Sequence, residues 1–458
     1  MAGSQFSLVK VGTVRARHAR DITGSNWSVG AETMDRDYTV YRYYRDYLGP
    51  IGAKKARIQA GWAKTEKERG KYDWAWLDAI IRDMVNQGVE PWVCLCYGNP
   101  LYGGDIHLGS PLPTQDTLAA WLRFVGAFIE RYGDVVDEWE VWNEPNLGDA
   151  AAPPGSRFAY NTPTTYANFF IATAETIRKR QPTSTIMAFS LAGVDIAFLD
   201  QGLAAIQAQG KLDLIDQVTY HPYAVNPDAC YGKVEQMRAL IGRYAGHITI
   251  RQGENGISSA TGPGTWDAGR GADYSEHTQA KWATRRMLGD LGRDIPTSLF
   301  TMCDIHYKHV NQIAHFGFLA TNPDQTVHHV KPVYHAMQHI TAIFDDRLRR
   351  IPDYLWYTLG RASHDGLSVY GYQDAAGRQV ATIWKNDSAP SSVDQYVHVD
   401  LALVDGGFAD PVYVDVLTGG VYEIPAEQTV VEDRRVTLRQ IPVYDSVVLI
   451  ADRSLIPM

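Results

Sequence analysis

The sequence predicts an α/β fold: a (β/α)8 TIM barrel with an accessory all-β sandwich domain at the C-terminus. Between residues 25 and 345, short runs rich in β-formers alternate with amphipathic windows of helical periodicity, an order typical of parallel βα units. Eight such runs can be counted, and eight parallel strands close a barrel. After about residue 345 the helical windows stop, and short β-rich segments lie between Gly, Asp and Pro turns, as in a sandwich.

The clearest βα unit begins with a helix near Asp73. Its apolar residues follow a 3-4 spacing, and Gly88 ends it. The apolar run Pro91–Tyr97 follows directly, as expected for a strand buried on both faces. A second unit repeats this order, with a helical stripe over Leu118–Tyr132 and a strand over Val136–Trp142.

The other elements follow the same pattern along the chain. Further strands are predicted at 26–31, 55–62, 185–191, 216–223, 247–254 and 298–306, and further helices near 164–180, 196–209, 232–245, 275–292 and 332–344. A doubly wound open sheet is the alternative. The sequence disfavours it, because no Gly-rich phosphate loop follows the first strand.

These elements divide the chain into three parts. Residues 1–24 form an N-terminal segment whose run Phe6–Val11 could add a strand to the sandwich. Residues 25–345 form the barrel, and residues 346–458 form the β-sandwich.

Composition narrows the classes of partner for this chain. Among its 458 residues, 43 are Lys or Arg and 52 are Asp or Glu, which gives a net charge of −9. This balance and the lack of a basic patch argue against nucleic-acid binding. No apolar run approaches the length of a membrane span, so we expect no membrane partner. A homo-oligomer stays open.

The four cysteines and the N-terminal residues give information about the cellular compartment of the protein. Cys94 and Cys96 share one face of a predicted strand and are poorly placed to bond to each other. Residues 1–20 lack the apolar core of a signal peptide. We therefore expect a cytoplasmic protein, with secretion after removal of a signal peptide as the alternative.

Two glutamates mark the predicted active site. In a (β/α)8 barrel the chemistry lies where strands end at the C-terminal face. Glu144 follows the fourth predicted strand and Glu254 ends the seventh, so the two lie nearly opposite each other around the ring. Cleavage of a glycosidic bond needs one protonated carboxyl and one ionised carboxylate across a cleft.

Each glutamate also has a structural interpretation. A single Glu at a strand end is usually a solvated surface group, but Asn143 and Pro145 beside Glu144 favour catalysis. The glycines at 253 and 256 around Glu254 could mark a plain turn. Glu32, Asp35 and Glu66 follow the first two strands as competing carboxylates. Of these, Glu32 is a better candidate for substrate contact than for the nucleophile, with a structural role as its alternative.

The segment Trp142-Asn143-Glu144-Pro145 resembles the acid/base signature of the clan-A glycoside hydrolases. The resemblance implies a retaining enzyme in which Glu144 is the acid/base and Glu254 the nucleophile. It further implies that Asn143 forms a hydrogen bond with the sugar 2-hydroxyl. His221 and Tyr223 would line the subsite, with the Tyr223 hydroxyl bonded to Glu254. The resemblance also implies that Arg57 lies beneath the carboxylates and keeps the nucleophile ionised.

Within the clan the chain is most similar to family 39, of β-xylosidase and α-iduronidase type. This similarity rests on Gly61-Trp62, the segment 70–74, Phe316-Gly317-Phe318 and Lys331-Pro332, and the family adds a β-sandwich to the barrel. The strand-eight end departs from the clan's usual tryptophan, because Asp304, His306 and Lys308 stand there. His306 is therefore a candidate for contact with the substrate.

Aromatic and histidine side chains supply the remaining candidates. Trp62, Trp142 and Trp266 could stack on sugar, although Trp142 is more typical of a core. A metal hypothesis arises from the five histidines at 306, 309, 315, 328 and 329. Their spacing matches no common ligand pattern, so we expect neither a metal nor a cofactor.

The predicted partner is an oligosaccharide or glycoside, with exo action on a β-xyloside-like substrate favoured. Long connections at 97–116, 146–163 and 255–274 could close the cleft. Alternatives are an endo-acting glycosidase, a non-catalytic carbohydrate-binding scaffold and a metal-dependent hydrolase. The sugar itself is not defined by the sequence.

Overall fold

The structure of the protein is a computed structural model. It describes residues 8–106, 115–147, 161–266, 273–359, 366–404, 406–432 and 435–458.

Eight parallel strands close a barrel, as predicted. A short strand, β1 (Val9–Thr13), precedes them. The barrel strands are β2 (Trp27–Gly30), β3 (Lys55–Gln59), β4 (Glu90–Leu95), β5 (Glu138–Val141), β6 (Thr185–Ala192), β7 (Gln217–His221), β8 (Thr249–Asn255) and β9 (Thr297–Leu299). Pairing of β9 with β2 closes the ring.

Helices follow the barrel strands on the outside. They are α1 (Tyr41–Leu48), α2 (Trp62–Thr65), α3 (Ala75–Asn86), α4 (Gln115–Tyr132), α5 (Pro163–Arg180), α6 (Ile196–Gln207), α7 (Tyr231–Tyr244), α8 (Glu276–Leu291) and α9 (Pro332–Ile343). Three of them begin at side chains that accept a backbone N–H, namely Thr162, Asp195 and Ser275. Among the described helices, none has the length and apolarity needed to cross a lipid bilayer.

The eighth barrel strand is shorter than its predicted range, 298–306. It ends at Leu299, and just beyond it the backbone N–H of Thr301 donates to the carbonyl of Phe316, outside the barrel. Two hairpins then precede α9. They are formed by β10 (Ile305–Tyr307) with β11 (Gln312–Ala314), and by β12 (Leu319–Thr321) with β13 (Val327–Val330).

The C-terminal part is all-β, as predicted. Its strands are β14 (Arg349–Arg350), β15 (Trp356–Leu359), β16 (Leu367–Gln373), β17 (Gln379–Lys385), β18 (Tyr396–Leu403), β19 (Pro411–Asp415), β20 (Gly420–Glu423), β21 (Thr429–Glu432), β22 (Arg435–Tyr444) and β23 (Val448–Asp452). Together with β1, these ten strands form a seven-stranded and a four-stranded sheet. The N-terminal strand β1 pairs antiparallel with β20 and so joins the larger sheet.

The barrel and this β-domain share buried contacts along α8. One cluster of buried apolar side chains continues from the barrel into the β-domain, where it includes Val380, Trp384, Val414 and Leu449. A separate cluster fills the space between the two sheets. The two domains are therefore packed against each other through a continuous core.

Candidate active site

A strained turn after β5 carries the first carboxylate to the mouth of the barrel. Trp142 and Glu144 have φ angles of 73° and 51°, in the left-handed region that non-glycine residues rarely adopt. The backbone N–H of Glu144 donates to Ser190 at 2.8 Å, and that of Trp142 donates to Leu95 at 3.0 Å. Neighbouring strands thus hold the turn in place, and such strain is concentrated at functional sites.

Glu144 and Glu254 meet across the mouth. One oxygen of each carboxylate and one ring nitrogen of His221 all lie within 4.8 Å of one another. Both glutamate side chains are 13% exposed, so each is shielded by protein but still open to the cleft. The structure therefore brings together the two carboxylates that the sequence placed on opposite strands.

Arg57 lies beneath this pair and is fully buried. Its guanidinium donates to Glu254 Oε2 at 2.7 Å, to Asn143 Oδ1 at 2.7 Å and to Glu140 Oε2 at 2.6 Å. These bonds fix Asn143 and hold a positive charge against the Glu254 carboxylate. Because Arg57 has no exposed surface, it acts on the carboxylates and not on a substrate.

The sequence analysis missed Glu140, a second buried carboxylate below the site. It also accepts a hydrogen bond from the Thr219 hydroxyl at 2.5 Å. Burial disfavours its charge, but Arg57, His221 and the Thr219 hydrogen bond together outweigh burial, so the pKa of Glu140 lies below its usual value. The signal was present in the sequence: Glu138 and Glu140 alternate along β5 and therefore share its inward face.

His221 contacts the candidate acid/base directly. Its Nδ1 lies 2.9 Å from Glu144 Oε1, and its Nε2 lies 3.1 Å from the Ser190 hydroxyl. Burial alone would lower the pKa of this imidazole, yet the nearby charges of Glu254 and Glu144 raise it. The hydrogen bond between the ring and the Glu144 carboxyl therefore holds this carboxyl in place.

Tyr223 makes the corresponding contact with the other carboxylate. Its hydroxyl donates to Glu254 Oε1 at 2.7 Å. Burial, followed by the charge of Glu254, raises the pKa of Tyr223 well above its usual value. The phenol thus stays protonated and keeps donating to Glu254.

Glu32 lies lower in the barrel than a substrate could reach. Its side chain is only 1% exposed, and Arg57 lies 3.3 Å away. Burial raises the pKa of Glu32 to about 7. The Thr301 hydroxyl lies 2.8 Å from the carbonyl oxygen of Gly30, which can only accept, so the hydroxyl donates its hydrogen there. The same hydroxyl oxygen lies 3.3 Å from Glu32 Oε2. The prediction of substrate contact is therefore wrong, and the structural alternative fits.

Two further predicted contacts are corrected by burial. Trp62 is fully buried, donates to Glu66 Oε2 at 2.6 Å and stacks on Tyr102, so it belongs to the core. Trp142 is also fully buried.

His306 lies on β10 and not on the eighth barrel strand, because that strand ends before it. Its Nε2 lies 2.9 Å from the Thr321 hydroxyl. It links the two hairpins and makes no described contact with the carboxylates.

An aromatic wall lies on the strand-eight side of the cleft. It consists of Tyr223, Phe316, Tyr307 and Trp266, joined by ring contacts of 5.9, 5.6 and 5.9 Å. Trp266 is 37% exposed, so its ring is available to a ligand. The wall places aromatic surface on the side where the clan's usual tryptophan is replaced.

Arg36 and Gln59 are also at the mouth and were missed by the sequence analysis. Gln59 lies two residues beyond Arg57 on the inward face of β3 and accepts a hydrogen bond from Arg36 at 2.5 Å. The Arg36 guanidinium lies 4.8 Å from the centre of the Tyr97 ring. A cavity of about 300 Å³ opens here, lined by residues that include Asp35, Arg36, Lys64 and Tyr97.

The histidines near strand eight do not converge on one point in the described residues. His309 contacts Tyr38, His315 contacts Asp304, and His329 contacts Glu276. Within the described part of the chain, the single group whose atoms could surround a metal ion is Glu144, His221 and Glu254. Two carboxylates and one imidazole are ligands that a divalent cation accepts.

The three long connections that were predicted to close the cleft lie only partly within the described residues. Their segments 107–114, 148–160 and 267–272 lie outside them.

The fold and the site together define a (β/α)8 barrel with a β-sandwich and two facing carboxylates at its mouth. No protein-family model matches the sequence, and the comparison with curated proteins finds no match. Solved structures do match. A family 39 glycoside hydrolase from Bacteroides cellulosilyticus WH2 has a TM-score of 0.66 at 16% identity, over 96% of this chain and 83% of that chain.

Two other structures are similar over nearly their whole length. The GH39 enzyme from Xanthomonas axonopodis pv. citri has a TM-score of 0.59 at 18% identity, over 96% of this chain and 95% of that one. A GH39 β-xylosidase from Caulobacter crescentus has a TM-score of 0.57 at 18% identity, over 95% and 97%. At these identities the likeness shows the fold, and it is the fold that the resemblance to family 39 implied.

Proposed function

We propose that this protein is a retaining glycoside hydrolase. The observation that carries the proposal is the Glu144–Glu254 pair, with oxygens within 4.8 Å. Retaining enzymes hold their carboxyl groups about 5–5.5 Å apart, and inverting ones about 6.5–9.5 Å apart to admit a water. The short separation supports direct attack by one carboxylate on the anomeric carbon.

The hydrogen bonds around each carboxylate support separate roles. Glu254 accepts from Arg57 and Tyr223, two donors that orient the carboxylate and complement the negative charge of a nucleophile. Glu144 contacts His221 instead and has no arginine among its described partners. Glu254 is therefore assigned as nucleophile and Glu144 as acid/base.

The reaction then has two displacements. In the first, a Glu254 oxygen bonds to the anomeric carbon while the bond to the leaving oxygen breaks, and that oxygen takes the proton of Glu144. In the second, Glu144 removes a proton from water, whose oxygen attacks the same carbon and releases Glu254. Asn143, held by Arg57 at 2.7 Å, would bond the sugar 2-hydroxyl.

The substrate class is the less specific part of the proposal. One structure with this fold is described as a β-xylosidase from Caulobacter crescentus, which supports exo action on a β-xyloside or a related glycoside. A panel of nitrophenyl glycosides followed by NMR would identify the sugar and the anomeric configuration of the first product. Inversion at the anomeric carbon would contradict the retaining mechanism.

Replacement of the nucleophile is the direct test of the assignment. Glu254→Ala should lower kcat by several orders of magnitude, because no covalent intermediate can form. The melting temperature should change little, since Glu254 lies at the mouth and not in the core. Near wild-type turnover by Glu254→Ala on the best glycoside of the panel would refute the assignment.

Replacement of the acid/base should depend on the leaving group. Glu144→Ala should slow hydrolysis of a disaccharide much more than that of a nitrophenyl glycoside, because nitrophenolate leaves without a proton. Rates of both substrates with the wild type and the variant give the comparison. An equal loss on both substrates would contradict the role of Glu144 as proton donor.

A metal-dependent hydrolase is the second candidate. It is favoured by the convergence of Glu144, His221 and Glu254 on a volume that a divalent cation could occupy. Loss of activity with a chelator, and its recovery with a divalent metal, would support this candidate. Full activity in the chelator would support the two-carboxylate mechanism.

A further inference from the structure

The loop that carries Tyr223 is held from outside the barrel. This loop, residues 222–230, connects β7 to α7 and is called the 222–230 loop below. The carbonyl oxygens on either side of Tyr223 each accept a hydrogen bond from a buried side chain of α8. Arg286 donates to Pro222 at 3.2 Å, and Trp282 donates to Ala224 at 2.9 Å.

The second half of the loop is held through Asp228. Its Oδ2 accepts from Arg285 Nε at 2.9 Å and from an Arg285 terminal nitrogen at 2.6 Å. The same terminal nitrogen lies 3.1 Å from Asn226 Oδ1. Arg285 is fully buried, so the loop and α8 form one ion-paired unit with little access to water.

The β-domain completes this unit. Trp384 on β17 donates its indole N–H to Asp228 Oδ1 at 3.1 Å, and the carbonyl of Ser388 accepts from Arg285 at 2.9 Å. Asp228 therefore receives donors from the barrel and from the β-domain at the same time. A path of two hydrogen bonds joined by the loop backbone runs from Trp384 to Asp228, along the loop to Tyr223, and from Tyr223 to Glu254.

We infer that the β-domain, through Trp384, positions the hydrogen-bond donor of the nucleophile. Trp384 lies outside the cleft and is a positioning residue. Its bond to Asp228 limits the motion of the 222–230 loop, which keeps the Tyr223 hydroxyl directed at Glu254. This inference rests on the proposed function, and it gives the accessory domain a part in catalysis.

The first test is Trp384→Phe in the full-length protein. This variant keeps an aromatic ring but loses the N–H donor. Since a single hydrogen bond is removed from the positioning unit, kcat/KM should fall about threefold to tenfold. The acid limb of its pH profile should move in the same direction as that of Tyr223→Phe, because both variants weaken the same contact to Glu254. Tyr223→Phe should change both quantities in the same direction and by more.

A matched control separates positioning from general loss of stability. Trp27, at the opposite end of the barrel, is buried and donates its indole N–H to the carbonyl of Phe344 at 2.7 Å. Trp27→Phe should lower the melting temperature but leave the acid limb unchanged. If both Trp→Phe variants have the wild-type acid limb, the inference is overturned.

The double variant Trp384→Phe/Tyr223→Phe gives the decisive result. Once the Tyr223 hydroxyl is absent, loss of the Trp384 donor should add little to the shift of the acid limb. Fully additive shifts would show that Trp384 acts by another route and would overturn the inference. If Trp384→Phe does not fold, Arg285→Lys takes its place in the same cycle, because lysine keeps the charge but cannot reach Asp228, Asn226 and Ser388 together.

Failure of the inference is distinguishable from failure of the proposed function. If the wild type hydrolyses no glycoside of the nitrophenyl panel, the proposed function fails. If the wild type is active and Glu254→Ala is inactive, while Trp384→Phe behaves as Trp27→Phe does, the inference alone fails.

Discussion

One arginine determines much of the chemistry at the scale of single residues. Arg57 contacts Glu254, Glu140 and Glu32, three carboxylates that compete for its charge. Glu140 receives two of its nitrogens, at 2.9 and 2.6 Å, while Glu32 receives one at 3.3 Å. This unequal sharing explains why the pKa of Glu140 is lowered while burial raises that of Glu32 to about 7.

The neutral form of Glu32 leads to a prediction about stability. Burial raises the pKa of Glu32 from its usual 4.5 to about 7 in the folded protein. The stabilising contribution of the bound proton is therefore complete below about pH 4.5 and is lost as the pH rises through about 7. Glu32→Gln has the same shape and no charge at any pH. The melting temperature of Glu32→Gln should be higher than that of the wild type at pH 8. This difference should be larger at pH 8 than at pH 5.

Melting curves of both proteins at several pH values between these two provide the measurement. Glu68→Gln is a suitable control, because Glu68 is exposed and pairs with Lys71 at the surface. A difference between Glu32→Gln and the wild type that stays constant from pH 5 to pH 8 would contradict a neutral Glu32 in the folded state.

The sequence could place Glu144 and Glu254 together at the mouth of the barrel but could not show how deeply other side chains are buried. Glu144 and Glu254 were found because the C-terminal ends of barrel strands always meet at one face. Trp62 was misplaced because a strand-end position does not say whether a ring turns inward, and it packs on Tyr102 and Phe124. Glu140 was missed because a carboxylate inside a barrel is expected only once its arginine partner is known to lie opposite.

At the scale of elements, the predictions succeeded where apolar spacing was regular. The stripe predicted over 118–132 is α4, Gln115–Tyr132, and all eight barrel strands were located. Helix α1 was missed because its buried face is formed partly by Tyr41 and Tyr44 in a strongly polar segment. The eighth strand was overextended because 298–306 is a largely apolar run whose break depends on distant partners, such as Phe316 for Thr301.

Helix α8 is the element whose burial is least expected from its sequence. It carries Lys281, which is fully buried and pairs with the fully buried Asp445 of the β-domain at 2.9 Å. Lys281→Met would leave the Asp445 carboxylate without this cation, and breaking a buried pair in this way costs about 3–5 kcal/mol. We therefore expect a large fall in the melting temperature of this variant.

The double variant Lys281→Met/Asp445→Asn should recover part of that stability, because it removes the uncompensated charge. The backbone N–H groups of Ser391 and Gln395 donate to different oxygens of Asp445, each at 3.2 Å, and the single side-chain oxygen of the neutral asparagine can still accept from one of them. Denaturant unfolding of the wild type, the single variant and the double variant measures the recovery. A double variant less stable than Lys281→Met would contradict the pairing.

At the scale of the whole molecule, the barrel and the β-domain form a continuous structure. One apolar cluster extends through both domains, and the N-terminal strand β1 pairs with β20, which lies near the other end of the sequence. Within the described residues, strand β1 and the C-terminal strands thus belong to one β-domain, with the barrel between them in sequence. Separation of the domains would expose apolar surface of this shared cluster and would break the contacts of Lys281 and Arg285.

This continuity leads to the final prediction, that the two domains unfold together. Calorimetry of the full-length protein should give a single heat-absorption peak, because the loss of either domain exposes buried surface and unpaired charges of the other. Lys281→Met should move this peak to lower temperature without splitting it, since the shared apolar cluster remains. Two peaks in the wild type would show that the β-domain folds independently, and the route from Trp384 to Glu254 would then lack the rigid support that it requires.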